Sequence, residues 1–222
     1  MKQFNSTAKR ITIYCLGLII LALGITLNTK TLLGVSPIVS VAYNLSKIIN
    51  IPLGVMTFIY YILLILLQWI ILRKDFEKVQ WFQILASLIT SFFIQIFDNI
   101  LPTFSTVASR LVMLILAIVI TAVGASLVVN MKFVPNPADG LASVLGVKIF
   151  NKDFGFGKNV FDLSSIIISL ALGWIFKDKI LGIGIGTVIA MILTGRVIAL
   201  LAKPSANLYN WCLAKVENTE LD

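Results

Sequence analysis

The residues best placed to do chemistry in this chain sit at two helix starts. In FVPNPADGLAS (133–143) Asn136 stands before Pro137, with Asp139 and Gly140 following. A hundred residues earlier, LLGVSPIVSVAYNLSKII (32–49) sets Ser36 before Pro37. A Ser or Asn oxygen at a cap position accepts a free N–H of the first turn, and proline suits the first helical position, where its missing N–H loses nothing. Asp139, three residues after Asn136, is placed to reach back to the cap N–H and to favour the positive end of the helix dipole. Where such N–H groups open into a cavity, they form an anion or carboxylate site. Helices lying flat at a membrane interface would only cover the bundle, and the sequence leaves both arrangements open.

Other groups fall inside apolar runs, where ionisable residues are costly. Asp162 and Arg196 belong to the same level of the membrane, so they can pair, with Lys158 one turn before Asp162. Such a pair either tethers two helices or tunes the charge of a site. Asp98 has Arg110 and Lys30 as candidate partners. ILGIGIGTV (180–188) places Gly182 and Gly186 four apart, a spacing that lets helices approach closely. Gly184, Gly186 and Thr187 could alternatively offer backbone to a solute. With no histidine, only Cys15 and Cys212, and no nucleophile beside a base, the chain is expected to be no enzyme and to use no metal or cofactor.

The elements that must hold these residues are membrane helices. Mean hydropathy is +0.99, and 13% of residues are charged against roughly 25% in soluble chains. Six blocks, at about 11–29, 54–72, 81–101, 111–130, 159–176 and 180–202, approach the ~20 apolar residues that cross a bilayer. They do not alternate as barrel strands do. Lys2, Lys9 and Arg10 precede the first block as in a signal peptide, but the block is long and no small-residue cleavage site follows, so an uncleaved first helix is expected. The net charge of +8 reads as topology rather than nucleic-acid binding. With both termini cytoplasmic in a bacterial plasma membrane, only Lys30, Lys47, Arg110, Lys177 and Lys179 lie outside, and the other thirteen of the 18 cations lie inside.

An offset of 100 residues aligns Arg10 with Arg110, Gly24 with Gly124, Pro37 with Pro137 and Ala42 with Ala142, and later Ile89 with Ile189. Each half reads as span, short amphipathic helix of ~13 residues, span, turn, span. Three spans per half is odd, so the halves enter the membrane from opposite sides, as in many secondary transporters. The fold class expected is all-α and polytopic, with six transmembrane helices in two inverted repeats, 1–102 and 103–203, and a cytoplasmic tail, 204–222.

Three segments also carry a family resemblance over about residues 10–202. Leu33, Gly34 and Pro37 follow the first span; Pro137, Asp139 and Gly140 follow the fourth; Gly184, Ile185, Gly186, Thr187 and Val188, then Leu193 and Gly195, mark the sixth. In these the chain resembles the YczE/YyaS/YitT-type bacterial membrane proteins. Ile38 and Val39 depart from the aromatic and acidic residues that many relatives carry there, and Ala86 and Ser87 replace the glycine–threonine motif in the third span. The resemblance implies architecture more than activity.

Three functions are compatible with this reading. The leading one is a transporter for a small polar or anionic solute, with Ser36, Pro37, Asn136, Pro137, Asp139, Gly140, Asp162, Arg196, Gly184, Gly186 and Thr187 as candidate binding residues. The others are a substrate-binding subunit driven by partner ATPase subunits and a non-transporting accessory or scaffold protein. The lipid bilayer is the expected partner throughout, nucleic acid is not, and a homo-oligomer stays open.

Overall fold

The computed structural model describes residues 2–214. Lys215 and the rest of the tail lie outside the described residues. In lipid every backbone N–H and C=O must be satisfied within the chain, so long apolar runs fold as helices. Those formed are α1 (Lys2–Lys30), α2 (Pro37–Ile49), α3 (Leu53–Leu72), α4 (Gln83–Ile100), α5 (Val107–Asn130), α6 (Pro137–Ser143), α7 (Phe154–Lys177) and α8 (Ile185–Ala214). A π-helical turn, Val144–Ile149, continues α6. Among the described residues six helices are long and apolar enough to cross a membrane, while α2 and α6 with its π turn are too short. Pro37, Pro52 and Pro137 stand at or just before helix starts, where the missing N–H costs nothing.

The sixth span departs from the expected block at both ends. Residues 180–184 are as apolar as a helix but form a turn with Gly182 at φ 65°. Backbone here is used elsewhere: Val35 N–H donates to Gly182 O at 2.7 Å, and in the first turn of α8 Gly186 N–H donates to Leu33 O at 2.8 Å. At the other end the helix continues through Pro204 to Ala214. Ser126 Oγ lies 2.7 Å from Ser205 Oγ and donates to Leu201 O at 3.3 Å, tying this stretch to α5.

At the centre α1 crosses α5 in antiparallel fashion. A Cβ on Gly24 would lie 2.4 Å from Thr121 N, and one on Gly124 would lie 2.3 Å from Leu21 N, so only glycine permits this approach. Helix α4 packs on α1, and α8 packs on α5. The short helices lie between the second and fifth spans, with both α2 and α6 packing against α3 and α7. The core there includes Val39, Ala42, Tyr61, Ala138 and Ala142, each essentially inaccessible.

The two short helices end differently. Helix α2 stops on Asn50 in the left-handed conformation, its N–H bonded to Ser46 O. After α6 the backbone widens into the π turn where α7 presses closest. A Cβ on Gly157 would sit 2.0 Å from Ala142 O, and one on Gly146 would sit 2.4 Å from Asp153 O.

Candidate functional site

The start of α6 is built from buried polar side chains. Asn136 Oδ1 accepts from Ala138 N at 3.1 Å, which is the capping bond its position predicts. Gln68 of α3 donates to Pro137 O at 3.1 Å and exchanges reciprocal amide bonds of 3.2 and 3.1 Å with Gln83 of α4. Gly140 lies directly under this pair: a Cβ there would be 2.7 Å from Gln68 Oε1 and 3.0 Å from Gln83 Oε1. The glutamine pair, both members buried, thus fixes where α6 begins.

Asp139 does not complete the capping box. It is buried, and its Oδ1 has no hydrogen-bond partner. The hydroxyl of the fully buried Tyr61 faces the Asn136 side chain from α3, with Asp139 nearby, in a contact that falls short of hydrogen-bond geometry, so neither that hydroxyl nor Asn136 Nδ2 has a full partner. Three of the seven unpartnered buried side-chain polar atoms in the described chain therefore gather at one place. Such atoms are rare because each forfeits its hydration without compensation.

Beside them Lys158 Nζ and Asp162 Oδ1 pair at 2.5 Å, one turn apart on α7 and both nearly inaccessible. Asp139 lies within electrostatic reach of both. Asp162 thus pairs with Lys158 on its own helix, and Arg196 is exposed on α8. Tyr60 stands next to Ser165 and Asp162. At the other predicted pair, Asp98 takes Lys30 at 2.9 Å, whereas Arg110 donates to Phe104 O.

The start of α2 is arranged otherwise. Ser36 is buried and its side chain makes no capping bond. The polar edge of α2 is taken up by α7: Ser169 Oγ donates to Ser40 Oγ at 2.9 Å, Ser40 Oγ contacts Ser165 O at 3.4 Å, and Asn44 Nδ2 donates to Ser169 O at 2.5 Å. Gly184, Gly186 and Thr187 hold the loop that leads into α2. Gly34, at φ 119°, would with any Cβ meet Thr187 Oγ1 at 2.5 Å and Gly184 N at 2.6 Å. These three residues are therefore grouped with Ser36 and Pro37, apart from the Asn136 cluster.

The structure brings Asn136, Asp139 and Gly140 together with Lys158 and Asp162, and adds Tyr61, Gln68 and Gln83, which sequence reasoning did not place in the site. The tyrosine sits in an unbroken apolar run and gave no signal. The signal that could have found the glutamines is the amide inside a span, as at Gln68, which implies an interhelical bond. Open spaces lie elsewhere, among them two beside ionisable residues. One, of about 280 Å³, is lined by Tyr43, Lys47 and Asp98 near the end of α2. The other, of about 780 Å³, lies between α7 and α8 and is lined by Lys158 and Arg196 among mostly apolar residues.

Known proteins match this chain along most of its length. The uncharacterized membrane protein YczE of Bacillus subtilis (strain 168) is 26% identical over 207 residues, covering 93% of this chain and 91% of that protein. The uncharacterized protein YyaS of the same organism is 26% identical over 194 residues, covering 83% and 88%. No solved structure matches. With six apolar helices of spanning length and a match to the family model over residues 8–203, the chain is a multi-pass membrane protein belonging to the family of unknown function DUF6198.

Proposed function

We propose that this protein is a transporter or permease-like carrier for a small polar or anionic solute in a bacterial plasma membrane, with both termini cytoplasmic. The observation that carries this reading is the set of unpartnered buried atoms at the start of α6, beside the Lys158–Asp162 pair. A purely structural interior would pair or remove such groups. Asn136 Nδ2, the Tyr61 hydroxyl and the Lys158 ammonium complement a carboxylate or carbonyl, and Asp139 complements a donor on the same guest.

Alternating access of two inverted three-span repeats is the mechanism this reading invokes. It is supported by contacts that exchange under the offset of 100: Gly24 meets Thr121 as Gly124 meets Leu21. In the same way α2 lies on α7 as α6 lies on α3. In the conformation described, Ser36 and Asn136 are both buried, which corresponds to an occluded state. That same burial favours a second reading, an accessory protein with no solute path.

Thermal-shift screening of the purified protein with small hydroxylated, amino and carboxylate solutes, followed by uptake into proteoliposomes, tests the proposal. A solute that stabilises the wild type, enters the vesicles and loses both effects in Asp139→Val supports transport. Absence of stabilisation and uptake across the panel turns the reading to the accessory protein.

A further inference from the structure

Helices α7 and α8 part where α3 and α4 pack side by side. The resulting cleft of about 780 Å³ has apolar walls that include Phe154, Ile192 and Ala199. Ile192 and Ala199 face outward from the bundle, toward lipid. Gly195 borders open space, since a Cβ there would meet nothing within 4 Å. The lining of the cleft also includes two cations, the exposed Arg196 and the buried Lys158, with Asn159 beside them.

Their charge balance identifies the occupant. Asp162 is already held by Lys158, and among the described residues no carboxylate forms an ion pair with Arg196. A guanidinium within a span, facing an apolar cleft without a counter-charge, calls for an anion supplied from outside the chain. The cleft opens sideways to the bilayer, and by span parity its cationic part lies on the side where most cations of the chain collect. Basic pockets between helices at that level bind anionic headgroups. We propose that the cleft holds one anionic phospholipid of the surrounding bilayer, its phosphate on Arg196 and an acyl chain along Ile192 and Ala199. The cleft shares Lys158 with the solute site proposed above, but its anion is assigned to Arg196, so the proposal does not depend on that reading.

Native mass spectrometry of the full chain in mild detergent, with added phosphatidylglycerol or phosphatidylcholine, tests this. The wild type should retain one phosphatidylglycerol and about tenfold less phosphatidylcholine. Arg196→Gln should lower phosphatidylglycerol retention by about tenfold, while Lys78→Gln, an exposed cation on the same side, leaves it unchanged. Gly195→Phe, which fills open space, should displace the lipid while the protein keeps its elution profile and helical content. Equal retention of the two lipids by the wild type overturns the proposal. So does unchanged retention in both Arg196→Gln and Gly195→Phe. A wild-type dimer that Gly195→Phe splits also overturns it, because a second copy then fills the cleft.

Discussion

The two short helices occupy corresponding places between α3 and α7, yet their surroundings have opposite character. Around α6 stand Asp139, Lys158 and Asp162; a hundred residues earlier the same positions hold Val39, Phe58 and Ile62. Helix α2 sets Ser40 and Asn44 against the backbone and a hydroxyl of α7 and bonds Ser46 to Ile51 O; of its buried side-chain atoms Asn44 Oδ1 is without a partner. Helix α6 has a firmer cap, from Asn136, but the side chains of Asn136 and Asp139, with the facing Tyr61 of α3, each leave a polar atom without a full partner beside a buried ion pair. One half therefore uses the motif for packing, and the other concentrates the charge. The lesson is that the Pro-marked helix start positions backbone in both halves, while the side chains around it decide whether a site results.

Exchanging residues between the halves should expose this difference most strongly at the ion pair. Removing one member, by Lys158→Phe or Asp162→Ile, leaves a buried charge uncompensated and should cost about 3–5 kcal/mol in denaturant unfolding. The double replacement installs the residues found at the corresponding positions of the first half and should recover most of that loss, because a well-packed apolar pair can replace a buried ion pair. If the double variant is as unstable as either single one, the pair has a structural role beyond charge compensation.

At Gly140 the exchange Gly140→Ser copies Ser40 into the second half. Its Cβ would meet Gln68 Oε1 at 2.7 Å, so displacing the glutamine pair should cost about 2 kcal/mol. The reverse side of the comparison is gentler. Ser40→Ala removes the hydroxyl bonded by Ser169 and should lower stability by about 1 kcal/mol in the same assay. Smallest of all, Asp139→Val should change stability by less than about 1 kcal/mol, since it deletes a carboxylate whose Oδ1 has no partner. A large loss there would show that Asp139 makes a structural interaction the comparison overlooks.

Much of the fold is legible in the sequence because lipid enforces it. Apolar runs of spanning length must be helices, and Pro37 and Pro137 fix where the short ones begin. The start of the sixth span was not legible, since residues 180–184 are as hydrophobic as a helix, and the bond of Val35 to Gly182 O that marks the turn joins segments far apart in the chain. At the site, Asp139 and Asp162 stand out as acids in apolar surroundings. The partner of Asp162 is harder to read: Lys158 and Arg196 both satisfy the level argument, and an intrahelical contact one turn away wins by proximity. Tyr61 has no sequence signal, because its hydroxyl matters only once α6 lies across α3. The parting of α7 from α8 is equally silent, since their composition resembles that of the packed pair α3 and α4.

Two-sided cysteine labelling tests the central claim, that both short-helix starts face an interior reached only by a restricted path. Cys15 and Cys212 would be replaced, and single cysteines placed at Ser36 and Asn136. Both cysteines are expected to react slowly with small polar thiol reagents and to be protected from bulky impermeant ones applied from either side. Free reaction of both with bulky reagents, each from its own side, would make α2 and α6 surface helices and contradict that claim.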